Sequence, residues 1–393
     1  MKYRLTNGLI ICDSILQNRD ILISDSKIEA VVEKSLQTSE EYRLIDCRGN
    51  YISPGFIDVH QHGGGGSDYM DSDPNAYFNA TEAHLAHGTT SVMPTTVSAT
   101  KDLLLKAVES YKAATKDKRI RANLLGLHME GRYISPAQAG AMKPENISNF
   151  EEHEYRTIIA AADGCIKRWS AAPELSGAEA FAKYATENGI TLSIGHSNAD
   201  LDTVVKAYGW GFKHITHLYS CMSTITRKGG FRIPGVLEAA YYIDDMNVEI
   251  IADGCHIPSS LLSYAVKFKN SDRISLITDA MRAAGQNTNK SFLGGKDDPL
   301  PVIIEDGVAK LEDRSAFAGS VATSDRLIRT MVKNGLSICD AVKMITLNPL
   351  KSMNLNVKKG LIKECYDADI CIFDGDINVK AVICGGNIVK SDL

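Results

Sequence analysis

Hydrophobic and polar positions change rhythm twice along this chain. From residue 1 to 53, short apolar runs alternate with polar turns. "LIICDSI" and "DILISDSKIEAVVE" are β-rich, and Asn7-Gly8 and Asp25-Ser26 carry turn chemistry. Residues 354–393 show the same rhythm, with "ADICIFDGDINVKAVICGGNIV" broken at Asp374-Gly375 and Gly385-Gly386. The two segments are expected to form one small β-sandwich domain, because the ends of a domain often lie close together.

Between them, residues 54–353 alternate apolar runs with helical stretches. The expected strands are 56–60, 90–96, 122–130, 166–174, 190–197, 212–218, 248–254 and 273–280. Helical patterns such as "SATKDLLLKAVESYKAATK" and "GAEAFAKYATENG" separate most of them. Strands that alternate with helices imply a parallel sheet, and eight such units imply a (β/α)8 TIM-type barrel. After the eighth run, "LPVIIEDGVAKLED" reads as a hairpin around Asp306-Gly307. Helices over 321–334 and 337–347 then lead back to the β domain.

Composition narrows the choice of function. The chain is 44% hydrophobic and 23% charged with net charge −5, and it has no basic block. Nucleic acid is not an expected partner. No apolar run is long enough to span a membrane, and no secretory signal is recognisable. The nine cysteines include no C-x-x-C pair, so reduced thiols and a cytoplasmic location are expected.

In such a barrel, chemistry collects at the C-terminal ends of the strands. The runs end in His60 with His62 beyond it, Glu130, His196, His217 and Asp279. Six metal-ligand side chains from five strands thus converge on one rim. Residues i and i+2 of a strand share a face, so His60 and His62 can grip one cation from one side. The four glycines after them allow a sharp turn close to the site. They do not form a phosphate loop, and no G-x-S-x-G nucleophile motif occurs.

The other histidines divide differently. His214 should face away from His217 and be structural. His84 and His87 suit a helix C-terminus, and His153 begins a surface helix. His128 is open between core and support of the ligands. His256, in "ADGCH", belongs to the functional rim.

The segments "PGFIDVHQHGGGG", "HMEG", "APE", "GHSNA", "THLYSCMS", "IADGCH" and "LITDAM" together resemble the amidohydrolase superfamily. Within it they are most similar to the N-acetylglucosamine-6-phosphate deacetylases, over nearly the whole chain. The resemblance implies hydrolysis of the acetamide of N-acetylglucosamine 6-phosphate. It implies one or two divalent transition metals per chain, zinc, iron or similar. Glu130, His196 and His217 match the main metal ligands, and His60 and His62 the second site of two-metal members. Asp279 matches the catalytic carboxylate, which takes a proton from the attacking water and returns it to the departing amine. His256 and Arg232 match residues that bind the sugar phosphate, the arginine reaching in from a neighbouring subunit of a homodimer.

Several positions depart from that pattern. Arg132 replaces a proline after "HMEG", Met142 replaces a substrate-facing His or Gln, and Ser220-Cys221-Met222 replaces "NAM". "TRKGGFRIPG" is longer than its counterpart by residues around 226–231. These changes surround the substrate, not the metal. A related substrate such as N-acetylgalactosamine 6-phosphate, or another amide, remains an alternative. A non-catalytic binding protein is disfavoured, because all six ligands are kept.

Overall fold

The computed structural model describes residues 1–36, 41–71 and 73–393. Its centre is an eight-stranded parallel barrel: β1 (Phe56–Gln61), β2 (Thr89–Thr96), β3 (Leu127–Glu130), β4 (Ile166–Ala171), β5 (Thr191–Ile194), β6 (Phe212–Ile215), β7 (Asn247–Ile251) and β8 (Ile274–Ile277). Each strand pairs in parallel with the next, from β1 through β8. The seam between β8 and β1 closes at the C-terminal rim. There the Asp279 N–H donates to the His60 carbonyl at 3.0 Å, and the His62 N–H to the Ala280 carbonyl at 2.9 Å.

Helices pack outside the barrel through apolar stripes at helical spacing. The helix α1 (Lys101–Ala114) buries Leu104, Ala107, Val108 and Tyr111, the i, i+3, i+4, i+7 pattern of one face. Trp169 of β4 is fully buried, stacks on Tyr133 and donates its indole N–H to the Gly131 carbonyl at 2.7 Å.

The terminal segments form two sheets over one core. One sheet has the order 27–33, 19–24, 2–6, 43–46; the other runs 387–391, 379–384, 370–373, 51–54, 9–11, 15–16. Leu5, Ile21 and Ile23 from the first meet Ile10, Ile52, Ile370, Ile372 and Ile383 from the second. This is the expected β-sandwich.

The structure sharpens the strand boundaries. The run 122–130 is not one strand. Gly126, at φ +132°, separates a two-residue pairing at Asn123–Leu124 from β3. The runs ending in His196, His217 and Asp279 stop as strands two residues before these side chains. The hairpin at Asp306-Gly307 is present, between strands Leu300–Glu305 and Val308–Leu311. The two helices after it are Ser324–Lys333 and Ile338–Ile345, followed by a short third, Leu347–Ser352. His84 lies in the last turn of the helix Pro74–Leu85 and His87 just beyond it, as expected, but their rings bond elsewhere. The His84 ring nitrogen meets the Gly63 carbonyl at 2.9 Å, and His87 lies 3.3 Å from Asp325. Among the described residues no helix is long and apolar enough to cross a membrane.

Candidate metal centre and active-site pocket

Two trios of potential metal ligands lie side by side at the rim. One is His60, His62 and Asp279; the other is Glu130, His196 and His217, and all six are buried. β1 supplies His60 from its last turn of pleat, and His62 follows one residue past the strand. Gly63 and Gly64 then pair antiparallel with Ser67 and Asp68, a contact so tight that a Cβ at Gly63 would meet the Ser67 carbonyl oxygen at 2.2 Å. Only glycine permits that approach.

Three of the ligands sit in left-handed backbone. His196, His217 and Asp279 have φ of +50°, +30° and +49°. Such a conformation costs of order 1 kcal/mol or more for a residue with a Cβ. It ends each strand abruptly and swings the side chain inward over the barrel mouth. The expectation that these residues belong to the strands fails for this reason.

All four imidazoles are held the same way. Each Nδ1 faces an acceptor: Glu249 for His60 at 3.3 Å, the Thr95 carbonyl for His62 at 3.3 Å, the Gln138 carbonyl for His196 at 2.9 Å and the Ser220 carbonyl for His217 at 3.1 Å. Each Nδ1 is therefore protonated, and in the neutral ring each Nε2 lone pair points to the centre. The result is crowding of acceptors. The Nε2 atoms of His196 and His217 are 3.2 Å apart, and both approach Glu130 Oε1, at 3.4 and 3.0 Å. His60 Nε2 is buried and has no hydrogen-bond donor facing it. Lone pairs this close, from imidazole and carboxylate, suit a divalent cation and little else; the donor set fits zinc, iron and similar ions alike.

Without a cation, a shared proton relieves this crowding: burial disfavours the charged ring, but the Asp279 and Glu130 carboxylates outweigh it and hold His62 well above its ordinary value. Burial pushes the Glu130 carboxyl up, but the surrounding histidines outweigh it and hold it well below the usual range. Asp279 is likewise lowered, burial being overcome by the His62 hydrogen bond and the His60 ring. Burial and the Arg168 charge push His128 well below its ordinary value, so it is neutral. His128 is not a ligand. It bonds Ser170 Oγ at 2.7 Å and Thr95 Oγ1 at 3.2 Å beneath the centre.

A cavity of about 270 Å³ opens over both trios. His62, Glu130, His196, His217 and Asp279 form its floor. Met142, Ser220, Cys221 and His256 line it as the sequence led us to expect. Arg232 does not reach it. This arginine lies on an exposed hairpin, Thr226–Lys228 paired with Phe231–Ile233, and donates to the Gly230 carbonyl at 3.1 Å. His214 is deep in the barrel with neither ring nitrogen partnered, a structural position as expected.

Sequence reasoning missed three supporting residues. Asp253 accepts from His256 Nδ1 at 2.8 Å and from its backbone N–H at 2.9 Å, fixing that ring toward the cavity. Glu249 and Arg168 form a fully buried ion pair under His60. Their signal was a charge inside an apolar strand, in "VEIIADG" and "IKRWSA".

Removing either histidine of the Glu130 trio should unload that site. His196→Ala and His217→Ala are expected to lose at least one ion per chain in elemental analysis of folded protein. Full occupancy in both variants would refute the ligand assignment.

The comparisons with known proteins point the same way. The sequence pattern of the amidohydrolase family matches residues 51–389. An N-acetylglucosamine-6-phosphate deacetylase of Lysinibacillus sphaericus is 31% identical over 95% of this chain and 93% of its own. An N-acetylgalactosamine-6-phosphate deacetylase of Shewanella sp. is 31% identical over 88% of this chain and 84% of its own. The crystal structure of N-acetylglucosamine-6-phosphate deacetylase from Pasteurella multocida superposes with a TM-score of 0.91 at 26% identity, covering 100% of both chains. The chain belongs to the amidohydrolase family.

Proposed function

We propose that this protein hydrolyses the acetamide of N-acetylglucosamine 6-phosphate, releasing acetate and glucosamine 6-phosphate. One observation carries the reading. Both ligand trios and His256 open onto a single small cavity, in a chain that matches deacetylases of this kind along nearly all its length.

In this reading Glu130, His196 and His217 would hold one divalent cation, and His60, His62 and Asp279 a second. When bound there, such a cation would supply Lewis acidity, polarising a carbonyl and lowering the pKa of water toward about 7. The protein supplies position and proton traffic. Asp279, ionised because its carboxyl is depressed, takes a proton from the water that adds to the acetyl carbon. As the C–N bond breaks, the same carboxyl returns the proton to the leaving nitrogen. Val97, Met142, Leu293 and Phe317 give the cavity an apolar wall for the acetyl methyl and the sugar. His256, steadied by Asp253 and edge-on to Phe317 at 4.8 Å, presents its free nitrogen to a polar substituent.

A phosphate dianion also needs cations, yet no lysine or arginine is among the described residues lining the cavity. This absence supports completion of the site by Arg232 of a second copy. The hairpin that carries Arg232 also exposes Phe231 (77% exposed) and directly follows Ile225 (56%), a composition suited to a homodimer contact.

A second reading is the galactose epimer, favoured by the Shewanella relative and by the substitution at Met142 on the cavity wall. Acetate release from both 6-phosphates and from the two unphosphorylated sugars decides among these. We expect the glucose epimer to be preferred, and the phosphate to raise kcat/KM by at least about tenfold, the worth of one charge-assisted hydrogen bond. Equal release with and without phosphate would refute the phosphorylated substrate.

Asp279→Asn keeps the shape but cannot take a proton. It should lose about 10²–10⁴-fold in kcat while metal analysis still finds the Glu130–His196–His217 site loaded. Near-normal turnover by the loaded variant would assign the proton to another group.

Arg232→Ala should raise KM for the phosphorylated sugar with little change in kcat. Mixed with the inactive Asp279→Asn protein, it should recover activity with the wild-type KM, because each hybrid dimer then contains one complete site. A monomer by sedimentation, or mixing without any such recovery, would remove the arginine's action across subunits.

A further inference from the structure

Beneath the centre, the barrel interior is charged rather than apolar. Glu249 of β7 and Arg168 of β4 are each 0% exposed. One carboxylate oxygen of Glu249 accepts from an Arg168 terminal nitrogen. The other lies 3.3 Å from His60 Nδ1. Arg168 is in turn fixed from β5 and the end of β6, donating to Ser193 Oγ at 2.9 Å and Thr216 Oγ1 at 3.2 Å. Burial pushes its guanidinium down to about 9, still charged at neutral pH.

The four ligand imidazoles differ in one respect. His62, His196 and His217 give Nδ1–H to backbone carbonyls, whereas His60 gives it to a carboxylate. A backbone carbonyl orients a ring. A buried carboxylate also makes the ring a stronger base, because charge on the acceptor favours electron density at the opposite nitrogen. That opposite nitrogen, His60 Nε2, is the buried one that faces no donor, 3.3 Å from Glu130 Oε1 and 3.4 Å from Asp279 Oδ1. Isolated burial of the Glu249 charge would be costly, and Arg168 offsets that cost from the far side.

We infer that Glu249 is a positioning residue for the second metal site: it fixes the His60 tautomer and raises the affinity of the His60–His62–Asp279 trio for its cation, with Arg168 holding it in place. The inference rests on the proposed metal centre but not on the identity of the substrate. It separates the two trios, since neither His196 nor His217 touches Glu249.

The test uses full-length protein carrying His196→Ala and His217→Ala, so that the His60 trio is the complete one left. Co²⁺ is titrated into the metal-free protein and followed by its visible absorption. Adding Glu249→Gln should raise the Kd about 10–100-fold. The charge-neutral double change Arg168→Met with Glu249→Leu should do the same while leaving the unfolding midpoint near its starting value. Ring ¹⁵N shifts of the metal-free protein should show His60 protonated at Nδ1, and this preference should be lost in the double variant only at His60. An unchanged Kd, no Co²⁺ binding in the starting background, or His60 protonated at Nε2 with Glu249 intact would each overturn the inference. If acetate release from the sugar phosphates failed while these results held, the proposed substrate would fall and this assignment would stand.

Discussion

Four imidazole Nε2 atoms surround one buried carboxylate, and most of the rim is arranged to keep them there. Glu130 is 1% exposed, and the Nε2 atoms of His60, His62, His196 and His217 lie 3.0 to 3.4 Å from its oxygens. Removed from water, such a group of acceptors is unfavourable by several kcal/mol unless a cation or shared protons sit between them. The barrel enforces the arrangement from behind. Each ring is tethered through Nδ1, and each tether is anchored on a different strand or loop. The closure of β8 onto β1 through Asp279 and His60 backbone atoms ties the sixth ligand into the same frame. Fold stability and cation affinity are therefore opposed without metal and aligned with it. A ligand that binds only the folded state stabilises that state by mass action.

Much of this was legible in the sequence because the signals were local. Eight apolar runs with helical patterns between them gave the barrel. The polar residue after each run gave the ligands, since strand ends on one rim converge whatever the exact register. Cavity-lining positions such as Met142 and His256 followed from the resemblance of their segments. What escaped was non-local. Glu249 looks like a charged residue misplaced in a strand, and only the barrel's closure reveals that Arg168, 81 positions earlier, points at it. Asp253 looks like a turn residue in "ADG" until its carboxylate is seen receiving both His256 protons.

Strand length was misjudged for a related reason. Hydrophobic patterning cannot register a change of backbone handedness at a residue that carries a Cβ. "SIGHS" and "LITDA" continue as apolar runs, so the periodicity extends them as strands. The chain instead turns at His196 and Asp279 through positive φ. The strain accompanies the chemistry: a ligand that must leave the sheet and point across the barrel mouth cannot keep strand geometry. The polar network below absorbs the consequence. Thr216 Oγ1 bonds both Ser170 Oγ and Ser193 Oγ, at 2.7 and 2.6 Å, and with Arg168 and His128 these groups fill the layer that aliphatic side chains would otherwise occupy.

Reaction and recognition are carried by different parts of the chain. The bond-breaking groups stand on the barrel, where strand ends and Nδ1 tethers fix them to within the tolerance that metal coordination demands. The groups proposed to choose the sugar stand on connections: Met142 after β3, Ser220 and Cys221 after β6, His256 after β7, and Arg232 on a hairpin that leaves the barrel altogether. Connections can change sequence without disturbing the ligands, and every departure noted in the sequence, at 132, 142, 220–222 and 226–231, falls on them. In the proposed reading a single chain holds both ligand trios in a cavity with no lysine or arginine among the described residues that line it. Supplying that charge from another copy would make substrate affinity depend on assembly, while the metal centre remains the property of one barrel.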